Sequence, residues 1–393
     1  MSTTEIQTLL SSLAVVGQQP PDDDELRSQL SQALSRALVA VERPVDTVHR
    51  LSFAPLQLAM TKVAIDLDLF KTLVLQGRPM SVMEIAQVIR ADPVLVGRIL
   101  RYLAAFSIIS EASVNQFEAT PLTHALTVPG LAAGIKHHFE VQLPAWAALP
   151  AVLAASEYQN PTDRQHTAFQ RAHHTNETVF AWFMTQPRCF EDFNLWMAAQ
   201  RPGQATWLDV FPLERLLTIT APTPEAIFVD VGGGKGHQCA ALVERLPQLV
   251  GRIVLEDLAP VVAHALPHPR VERLAYDFWT PQPVTGAAFY YLRNVLHDYP
   301  DDQCVTLLQL QCAAMRPGST LLIDEIICPA TGASRTVADL DIAMMACLAA
   351  QERTQDQWAR LFQSAGMSLV ETLTYVAESG HSVMVVKHST TPL

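Results

Sequence analysis

The chain has 393 residues, of which 49% are hydrophobic and 17% charged, and its formal net charge is −12 at pH 7. This length exceeds that of a usual single hydrophobic core and predicts two domains, and the apolar content excludes a mainly disordered chain. The acidic balance argues against a nucleic-acid-binding protein, because such a protein needs a basic face.

The sequence offers no signal for a membrane or a metal site. It has no uninterrupted apolar run near the length of about 18 residues that a membrane span needs, and its first residues lack the basic and apolar regions of a secretory signal. The cysteines form no C-x-x-C pair, and His173 and His174 are adjacent rather than one helical turn apart. We therefore expect a cytoplasmic protein with reduced thiols, no metal and no membrane partner.

Residues 1–120 are predicted to form a helical module. Ser81, with Glu84 three positions later, is typical of a capped helix start. Apolar periodicity and polar interruptions predict further helices, followed by a hairpin-like wing, over residues 26–38, 52–75, 93–106 and 108–119. Short helices followed by a wing indicate a winged-helix-like module.

Winged-helix modules often bind DNA, so that function is a rival hypothesis for residues 1–120. A recognition helix needs several exposed Lys or Arg residues for phosphates, whereas the predicted helix 93–106 offers only Arg98 and Arg101. The charge pattern therefore disfavours DNA binding.

Residues 121–205 are predicted to be helical and are rich in aromatic residues and Met. Most such side chains at helical spacing are expected in the core. The others are expected to line a cavity, and apolar walls that contain Met suit a planar aromatic or polyketide-like ligand.

Residues 206–393 alternate between apolar strand-like runs and helical segments, which is typical of an α/β fold with a doubly wound sheet. The strands are predicted near 226–230, 252–256, 271–275, 287–292, 320–327, 368–375 and 382–387.

The first of these strands ends in a glycine-rich turn, Ile-Phe-Val-Asp-Val-Gly-Gly-Gly-Lys-Gly, at residues 227–236. Glycines let the backbone approach a ligand closely, and the helix that follows offers unpaired N–H groups at its start. The last glycine of the dinucleotide fingerprint G-x-G-x-x-G is missing here, so another nucleoside ligand is favoured.

Two later strands end in acidic residues that suit such a ligand. Asp257 follows the second strand, at the position where a doubly wound fold places a carboxylate on ribose hydroxyls. Asp277 follows the third strand and precedes Phe278 and Trp279, which could contact the amino group and the face of an adenine ring.

His297 lies just past the apolar strand that ends at Leu292, and so at the sheet edge where ligands bind in open α/β folds. A histidine titrates in the range of a general base. An isolated histidine more often caps or packs a helix, but Glu325 lies within a strongly apolar strand where an unpaired carboxylate is costly. From the residues alone, His297 can be a general base or a packing residue, and Glu325 and Glu352 can be partners of the base or ordinary surface charges.

The segment Leu296-His297-Asp298-Tyr299-Pro300-Asp301, together with the glycine turn, resembles S-adenosylmethionine-dependent O-methyltransferases of the plant phenolic and fungal secondary-metabolite type. The resemblance covers residues from about 50 to 388, and Tyr299 stands where the family has Trp. It implies that His297 is the catalytic base and that Glu325 and Glu352 orient it. It also implies that the last two strands form an antiparallel hairpin that closes the sheet.

The resemblance further implies that S-adenosylmethionine is the cofactor, that a small aromatic or polyketide-derived molecule is the substrate, and that the protein is a homodimer built through residues 1–120. The implied cofactor contacts are Asp230, Gly232, Gly234, Asp257, Leu258, Asp277, Phe278 and Arg293. For Arg293, a salt bridge with Asp257 or Asp298 is the alternative. The expected substrate contacts are His137, His138, Phe183, Met184, Trp196, Met197, Asp341, Met344 and Met345.

Two other functions stay open at the level of sequence. Some fungal relatives of these methyltransferases keep the cofactor but catalyse dehydration or pericyclic ring formation on polyketide-derived pyridones, and fold does not separate the two activities. The presence of His297 with both glutamates favours methyl transfer. A catalytically silent dimer that binds the cofactor for regulation is the third hypothesis.

Overall fold

The computed structural model describes residues 2–19, 21–200, 203–217 and 226–389. The chain divides into two compact units, residues 1–125 and residues 126–393. The helical segment that the sequence predicts over 121–205 lies mainly in the second unit.

The first unit is a helical module with a small three-stranded sheet of order β1-β3-β2. Its elements are α1 (Thr3–Gln18), α2 (Asp24–Val41), α3 (Pro44–Asp66), α4 (Leu69–Gln76), β1 (Met80–Ser81), α5 (Val82–Ile89), α6 (Pro93–Ala105), β2 (Ile109–Ser113), β3 (Gln116–Ala119) and α7 (Pro121–Ala125). The antiparallel pair β2–β3 confirms the predicted wing.

Local sequence explains where these helices begin and end. Ser81 Oγ accepts the N–H of Glu84 at 3.2 Å, and Glu84 Oε2 accepts the N–H of Ser81 at 2.7 Å, which confirms the predicted cap of α5. The single helix predicted over 52–75 is wrong, because Asp68 has a left-handed backbone with φ 51° that separates α3 from α4. Helix α1 was not predicted from the sequence.

The second unit contains the large sheet and the remaining helices. The helices are α8 (Pro129–His137), α9 (Leu143–Ala155), α10 (Ala168–His173), α11 (Val179–Thr185), α12 (Pro187–Ala199), α13 (Trp207–Val210), α14 (Glu214–Leu217), α15 (His237–Arg245), α16 (Ala259–Val262), α17 (Asp301–Ala314), α18 (Arg335–Leu348) and α19 (Gln355–Ser364). A π-helical turn over His138–Gln142 joins α8 to α9, and a 3₁₀ turn covers Leu296–Asp298.

The strands of the second unit are β4 (Ala226–Val231), β5 (Arg252–Asp257), β6 (Val271–Ala275), β7 (Phe289–Arg293), β8 (Thr320–Cys328), β9 (Arg353–Thr354), β10 (Met367–Val376) and β11 (His381–His388). The order in the sheet is β10-β11-β8-β7-β4-β5-β6, and β9 pairs with the end of β8. Strands β4 to β8 pair in parallel, whereas β10 and β11 are antiparallel, which confirms the predicted α/β sheet and its closing hairpin.

Side chains alternate between the two covered faces of this sheet. On β7, Tyr290 packs in the apolar cluster that includes Trp358 and Phe362 of α19, whereas Tyr291 packs in the opposite cluster with Trp207. Because β4, β5, β7 and β8 are parallel, their carboxyl ends meet at one edge. The fold therefore brings the loops that follow these four strands together.

Two structural findings bear on the range of possible functions. Across the described ranges, no helix is both long and apolar enough to cross a membrane. In the part of the chain that the structure describes, no group of three or more His, Cys, Asp or Glu side chains is arranged to hold a metal ion.

Candidate active site

His297 lies in the 3₁₀ turn after β7, and only 9% of its surface is exposed. Its Nδ1 is 2.8 Å from Glu352 Oε1, and an ionised carboxylate can only accept, so Nδ1 carries the hydrogen and donates it. The second ring nitrogen, Nε2, is 3.5 Å from Asp298 Oδ1. The imidazole is thus fixed at Nδ1, which leaves Nε2 as the nitrogen for proton transfer.

Glu325 forms hydrogen bonds with the backbone before His297 rather than with the ring. Its Oε1 accepts the N–H groups of Val295 and Leu296 at 2.9 and 2.8 Å. The Glu325 side chain is fully buried at the end of β8, beside the turn that carries His297. The structure therefore brings together the three predicted catalytic residues, with Glu352 on the ring and Glu325 on the preceding backbone.

Three carboxylates decide the charge state of this cluster. Burial lowers the pKa of His297, but the negative charges of Glu325, Glu352 and Asp298 outweigh it and raise that pKa to about 10. Burial raises the pKa of Asp298 to about 6 and that of Glu325 to about 7, and the charge of His297 opposes both shifts. With only these acids around it, His297 is favoured as the imidazolium.

Two glycines of the turn after β4 differ in their surroundings: Gly232 is crowded by neighbouring side chains, and Gly234 is open. Gly232 and Gly234 have φ values of 70° and 59°. A Cβ on Gly232 would lie 3.1 Å from Val295 Cγ2 and 3.5 Å from the Phe278 ring, whereas a Cβ on Gly234 would meet no heavy atom within 4 Å. Gly232 therefore permits close packing of three loops, and Gly234 borders free space that a ligand could fill.

Asp230 lies beneath this turn rather than at its open side. Its side chain is buried, and a Cβ on Gly233 would lie 2.6 Å from Asp230 Oδ2. Burial raises the pKa of Asp230 to about 7. The Asp230 carboxyl group thus packs against the buried side of the glycine turn, at Gly233.

Asp257 and Leu258 lie beside the open side of the turn. Asp257 Oδ2 accepts the N–H of Gly234 at 2.8 Å, and Oδ1 accepts the N–H of Leu258 at 2.7 Å. Burial raises the pKa of Asp257. Leu258 is 42% exposed. A half-buried carboxylate next to an open glycine can accept the hydroxyls of a ribose.

Phe278 provides an aromatic surface near the same turn. Its ring meets Tyr299 edge to face, with centroids 5.9 Å apart, while Asp277 is exposed and accepts the N–H of Trp279. This arrangement fits an adenosyl cofactor. Asp257 can accept from its ribose hydroxyls, Gly234 leaves room for it to approach the backbone, and the ring of Phe278 can contact its base.

Arg293 ends β7 and pairs with Asp324, not with Asp257 or Asp298, so the salt bridge considered from the sequence was wrong. Its Nε is 3.5 Å from Asp324 Oδ2, because the parallel register of β7 and β8 sets these two residues side by side. Two hydroxyl groups also donate to this buried carboxylate, from Tyr291 at 2.5 Å and from Tyr375 at 2.6 Å. The buried carboxylate of Asp324 therefore fixes the position of the Arg293 guanidinium.

Of the two predicted substrate residues at the end of α8 and the start of the π-helical turn, His137 is buried and His138 is half-buried. His138 Nδ1 donates to the carbonyl of Gly134 at 2.7 Å, and the Gln142 amide donates to His137 Nε2 at 3.1 Å. Burial lowers the pKa of His137 to about 3, and among the described residues its buried Nδ1 has no hydrogen-bond partner. His137 is thus a neutral imidazole with one unused donor.

Several predicted substrate residues from α11, α12 and α18 gather near these histidines. Phe183 is 6.1 Å from His137 between ring centroids and shares an apolar cluster with the buried Met344. Trp196 meets His138 edge to face at 5.7 Å. Met345 is partly buried. In contrast, Met184 and Met197 are 42% and 43% exposed, so the structure leaves them at the surface of this unit.

Asp341 connects α18 to the catalytic cluster rather than to this aromatic group. Its Oδ1 accepts the backbone N–H of Glu352 at 2.8 Å. Asp341 therefore fixes the segment that presents Glu352 to His297.

Sequence reasoning missed the residues that support this site. Asp324 could have been found, because an acid inside an apolar strand needs a partner as much as Glu325 does. Arg353, which is fully buried beside the His297 turn, carries no comparable sequence signal.

Comparisons with known proteins agree with this geometry. The family model of the O-methyltransferase domain matches residues 162–368, and that of the O-methyltransferase dimerisation domain matches residues 53–129. "O-methyltransferase lepI" of Aspergillus flavus is 37% identical over 97% of each chain, and "demethylsterigmatocystin 6-O-methyltransferase" of the same species is 36% identical over 90% of this chain and 91% of the relative.

Two solved structures are similar to this one over nearly its full length. One is LepI in complex with S-adenosylmethionine, and the other is described as a pericyclic reaction enzyme. Each has a TM-score of 0.92 at 36% identity; they cover 99% and 98% of this chain, respectively, and each is itself covered completely. With its two matching family models and these relatives, the chain belongs to the S-adenosylmethionine-dependent O-methyltransferase family of fungal secondary metabolism.

Proposed function

We propose that the protein methylates a hydroxyl group of an aromatic or polyketide-type secondary metabolite and that His297 is the general base. The observation that carries this proposal is the 2.8 Å contact between His297 Nδ1 and Glu352, which directs Nε2 away from the orienting carboxylate. A relative 36% identical to this chain is named as a methyltransferase acting on demethylsterigmatocystin, which supports a polyphenolic acceptor.

S-Adenosylmethionine, when bound, supplies a methyl group on a sulfonium sulfur. The chain's own task is to align the acceptor oxygen and to take its proton at Nε2 of His297 as the new O–C bond forms and the S–C bond breaks. Glu352 accepts from Nδ1 throughout and stabilises the positive charge that the ring gains.

The base must be neutral before it can accept that proton. The charges of Glu325, Glu352 and Asp298 raise the pKa of His297 to about 10 against the effect of burial, which favours the imidazolium. A cationic cofactor held by Asp257, Gly234 and Phe278 would add a positive charge to this region, which would lower the pKa of His297 and favour its neutral form.

The same proposal assigns roles to the other residues of the site. Asp257 accepts the ribose hydroxyls, Phe278 contacts the adenine, and Arg293 lies beside the nucleoside with Asp324 behind it. The aromatic group around His137 and Phe183 forms a wall of the acceptor site. The match of residues 53–129 to a dimerisation domain supports a homodimer.

Pericyclic or dehydration chemistry on a polyketide-derived pyridone alcohol is the second candidate. The buried, unused donor of His137 favours it, because such a group could polarise a substrate carbonyl without any methyl transfer. A relative described as a pericyclic reaction enzyme has the same fold at 36% identity.

Mass spectrometry of the purified protein, incubated with S-adenosylmethionine and a panel of phenols and polyketide-pyridone alcohols, separates these functions. A product heavier by one methylene unit, with S-adenosylhomocysteine released, supports methyl transfer. A dehydrated or isomerised product with the cofactor unconsumed supports the second candidate and removes His297 from its role as base. Cofactor binding without any product from the whole panel would contradict both and indicate a binding protein.

A further inference from the structure

Arg353 is fully buried and holds two backbone carbonyl groups, one on each side of His297. Its Nη1 donates to the carbonyl of Leu296 at 3.0 Å, and its Nη2 donates to that of Tyr299 at 2.8 Å. Only the planar fork of a guanidinium presents two donors at a fixed spacing to two such acceptors. Arg353 therefore spans the turn that carries the base.

The guanidinium itself is fixed on its other sides. Its Nε donates to Asp301 Oδ1 at 2.9 Å, at the first residue of α17, and its carbon lies 5.1 Å from the centroid of the Trp358 ring. The side chain of Asp301 is 60% exposed, so this ion pair contributes little to stability. The contacts with the buried carbonyl groups are the costlier ones to lose, because a buried acceptor that loses its strong donor cannot replace it with water.

Arg353 also belongs to the strand segment that presents Glu352. The short strand β9 begins at Arg353, which pairs in parallel with Ile327 near the end of β8, two residues after Glu325. Strand β8 thus carries Glu325, which accepts from the backbone before His297, and β9 begins with Arg353, which donates to the carbonyl groups around it. Glu352, the acceptor for Nδ1, directly precedes β9.

We propose that Arg353 is a positioning residue for the proposed reaction, holding the backbone of His297 so that the imidazole keeps its contact with Glu352. This inference rests on the proposed role of His297 as the base. It assigns to Arg353 no contact with substrate or cofactor. Without the two guanidinium contacts, the carbonyl groups of Leu296 and Tyr299 keep only the weaker Cys304 Sγ donor, at 3.1 and 3.3 Å. The turn is then held less firmly, and the ring is freer to move relative to Glu352.

The test compares Arg353→Met and Arg353→Lys with Arg360→Met, which removes an exposed arginine from α19 and serves as the matched control. Lysine keeps the charge beside Asp301 but cannot donate in a fixed fork to both carbonyls. The first readout is the titration of His297 in the protein without acceptor, followed by NMR of labelled histidine side chains and assigned with a His297→Gln spectrum.

We expect the pKa of His297 to fall by about one unit or more in Arg353→Lys, a roughly tenfold change in its proton dissociation constant. In Arg353→Met the fall should be smaller, because the loss of a positive charge near the ring opposes it. The binding constant for S-adenosylhomocysteine, measured by calorimetry, should stay within about twofold of wild type, since the cofactor residues are untouched. Arg360→Met should match wild type in both measurements. A merely structural role would lower the melting temperature without moving the titration of His297 in the folded protein.

An unchanged His297 titration in folded Arg353→Lys would overturn the inference, even if Arg353→Met failed to fold. Full recovery of wild-type turnover by lysine, with any panel phenol that the wild-type enzyme methylates, would also contradict it. Failure of the proposed function would give a different result. The pKa of His297 would still fall as expected in the Arg353 variants, but the wild-type protein would methylate no compound of the panel.

Discussion

Replacement of Glu352 by Gln is the sharpest test of how the site sets the charge of His297. The substitution keeps the size of the side chain and removes one of three negative charges around the ring. The ordinary pKa of the imidazole is 6.5, and the cluster raises it to about 10 against the opposing effect of burial. Because three carboxylates share this effect, the loss of one should lower the pKa of His297 by roughly 1–2 units, or about 1.4–2.7 kcal/mol.

The same energy should appear in turnover and in stability. If the imidazolium forms in the transition state, a loss of about 1.4–2.7 kcal/mol predicts a roughly 10–100-fold lower kcat. The folded pKa of His297 lies above its unfolded value, so its stabilising contribution is fully present below pH 6.5 and is lost as the pH rises through about 10. The difference in unfolding free energy between wild type and Glu352→Gln should therefore be largest near pH 6 and smallest above pH 10.

Urea denaturation at several pH values, together with histidine NMR, measures both effects without an acceptor. Glu244→Gln, an exposed carboxylate on α15, is the matched control and should leave both readouts unchanged. If Glu352→Gln kept the wild-type titration of His297 and the wild-type pH dependence of unfolding, the carboxylate would have no electrostatic role, and the reasoning would be refuted.

Four further outcomes follow from the geometry of the two halves of the site. Binding of cationic S-adenosylmethionine should strengthen as the pH rises from about 7 towards about 10, since His297 must release a proton, whereas S-adenosylhomocysteine, whose sulfur is neutral, should lack this dependence. Calorimetry with wild type and His297→Gln tests the prediction, and the same pH dependence of affinity for both ligands would contradict it. His297→Gln should also lose roughly 10²–10⁴-fold in kcat with its affinity for S-adenosylhomocysteine retained, as expected for a general base; unchanged turnover would exclude it. Gly234→Ala should weaken cofactor binding at least about tenfold. Gly77→Ala, with a φ of 62° against 59° for Gly234 and similarly open surroundings, should cost only the backbone strain of about 1–2 kcal/mol. Asp257→Ala should reduce cofactor affinity with kcat at saturation little changed, and a normal dissociation constant would refute its assignment to the ribose.

The strands and their ends were predictable because apolar runs in this chain stop at residues that a core does not tolerate. Asp257 and Glu325 are visible in the sequence as acids at or within such runs, and parallel strands must bring their carboxyl ends to one edge. The position of His297 followed from the same rule. These predictions needed only the alternation of strands and helices, which the sheet confirms.

Partners that meet across distant segments were not predictable from the residues alone. Glu352 is 55 positions from His297, and only resemblance to a family assigned it to the site. The partner of Arg293 depends on the register between β7 and β8, which apolar patterning does not specify because both strands are buried on two faces. The burial of Arg353 is not visible in the sequence, because arginines are mostly exposed and only the carbonyl groups that it contacts explain why it is buried.

The register of β8 explains how the two halves of the site keep a fixed relation. Successive side chains of a strand point to opposite faces, so the neighbours Asp324 and Glu325 serve different loops. Asp324 faces Tyr291 and Arg293 on the side of the cofactor turn, and Glu325 faces the backbone N–H groups before His297. A slip of β8 by one residue would exchange these faces and leave both buried carboxylates without their partners. Strand β8 thus sets the distance between the nucleoside residues and the base. This requirement, more than packing alone, accounts for two adjacent acids inside an apolar strand.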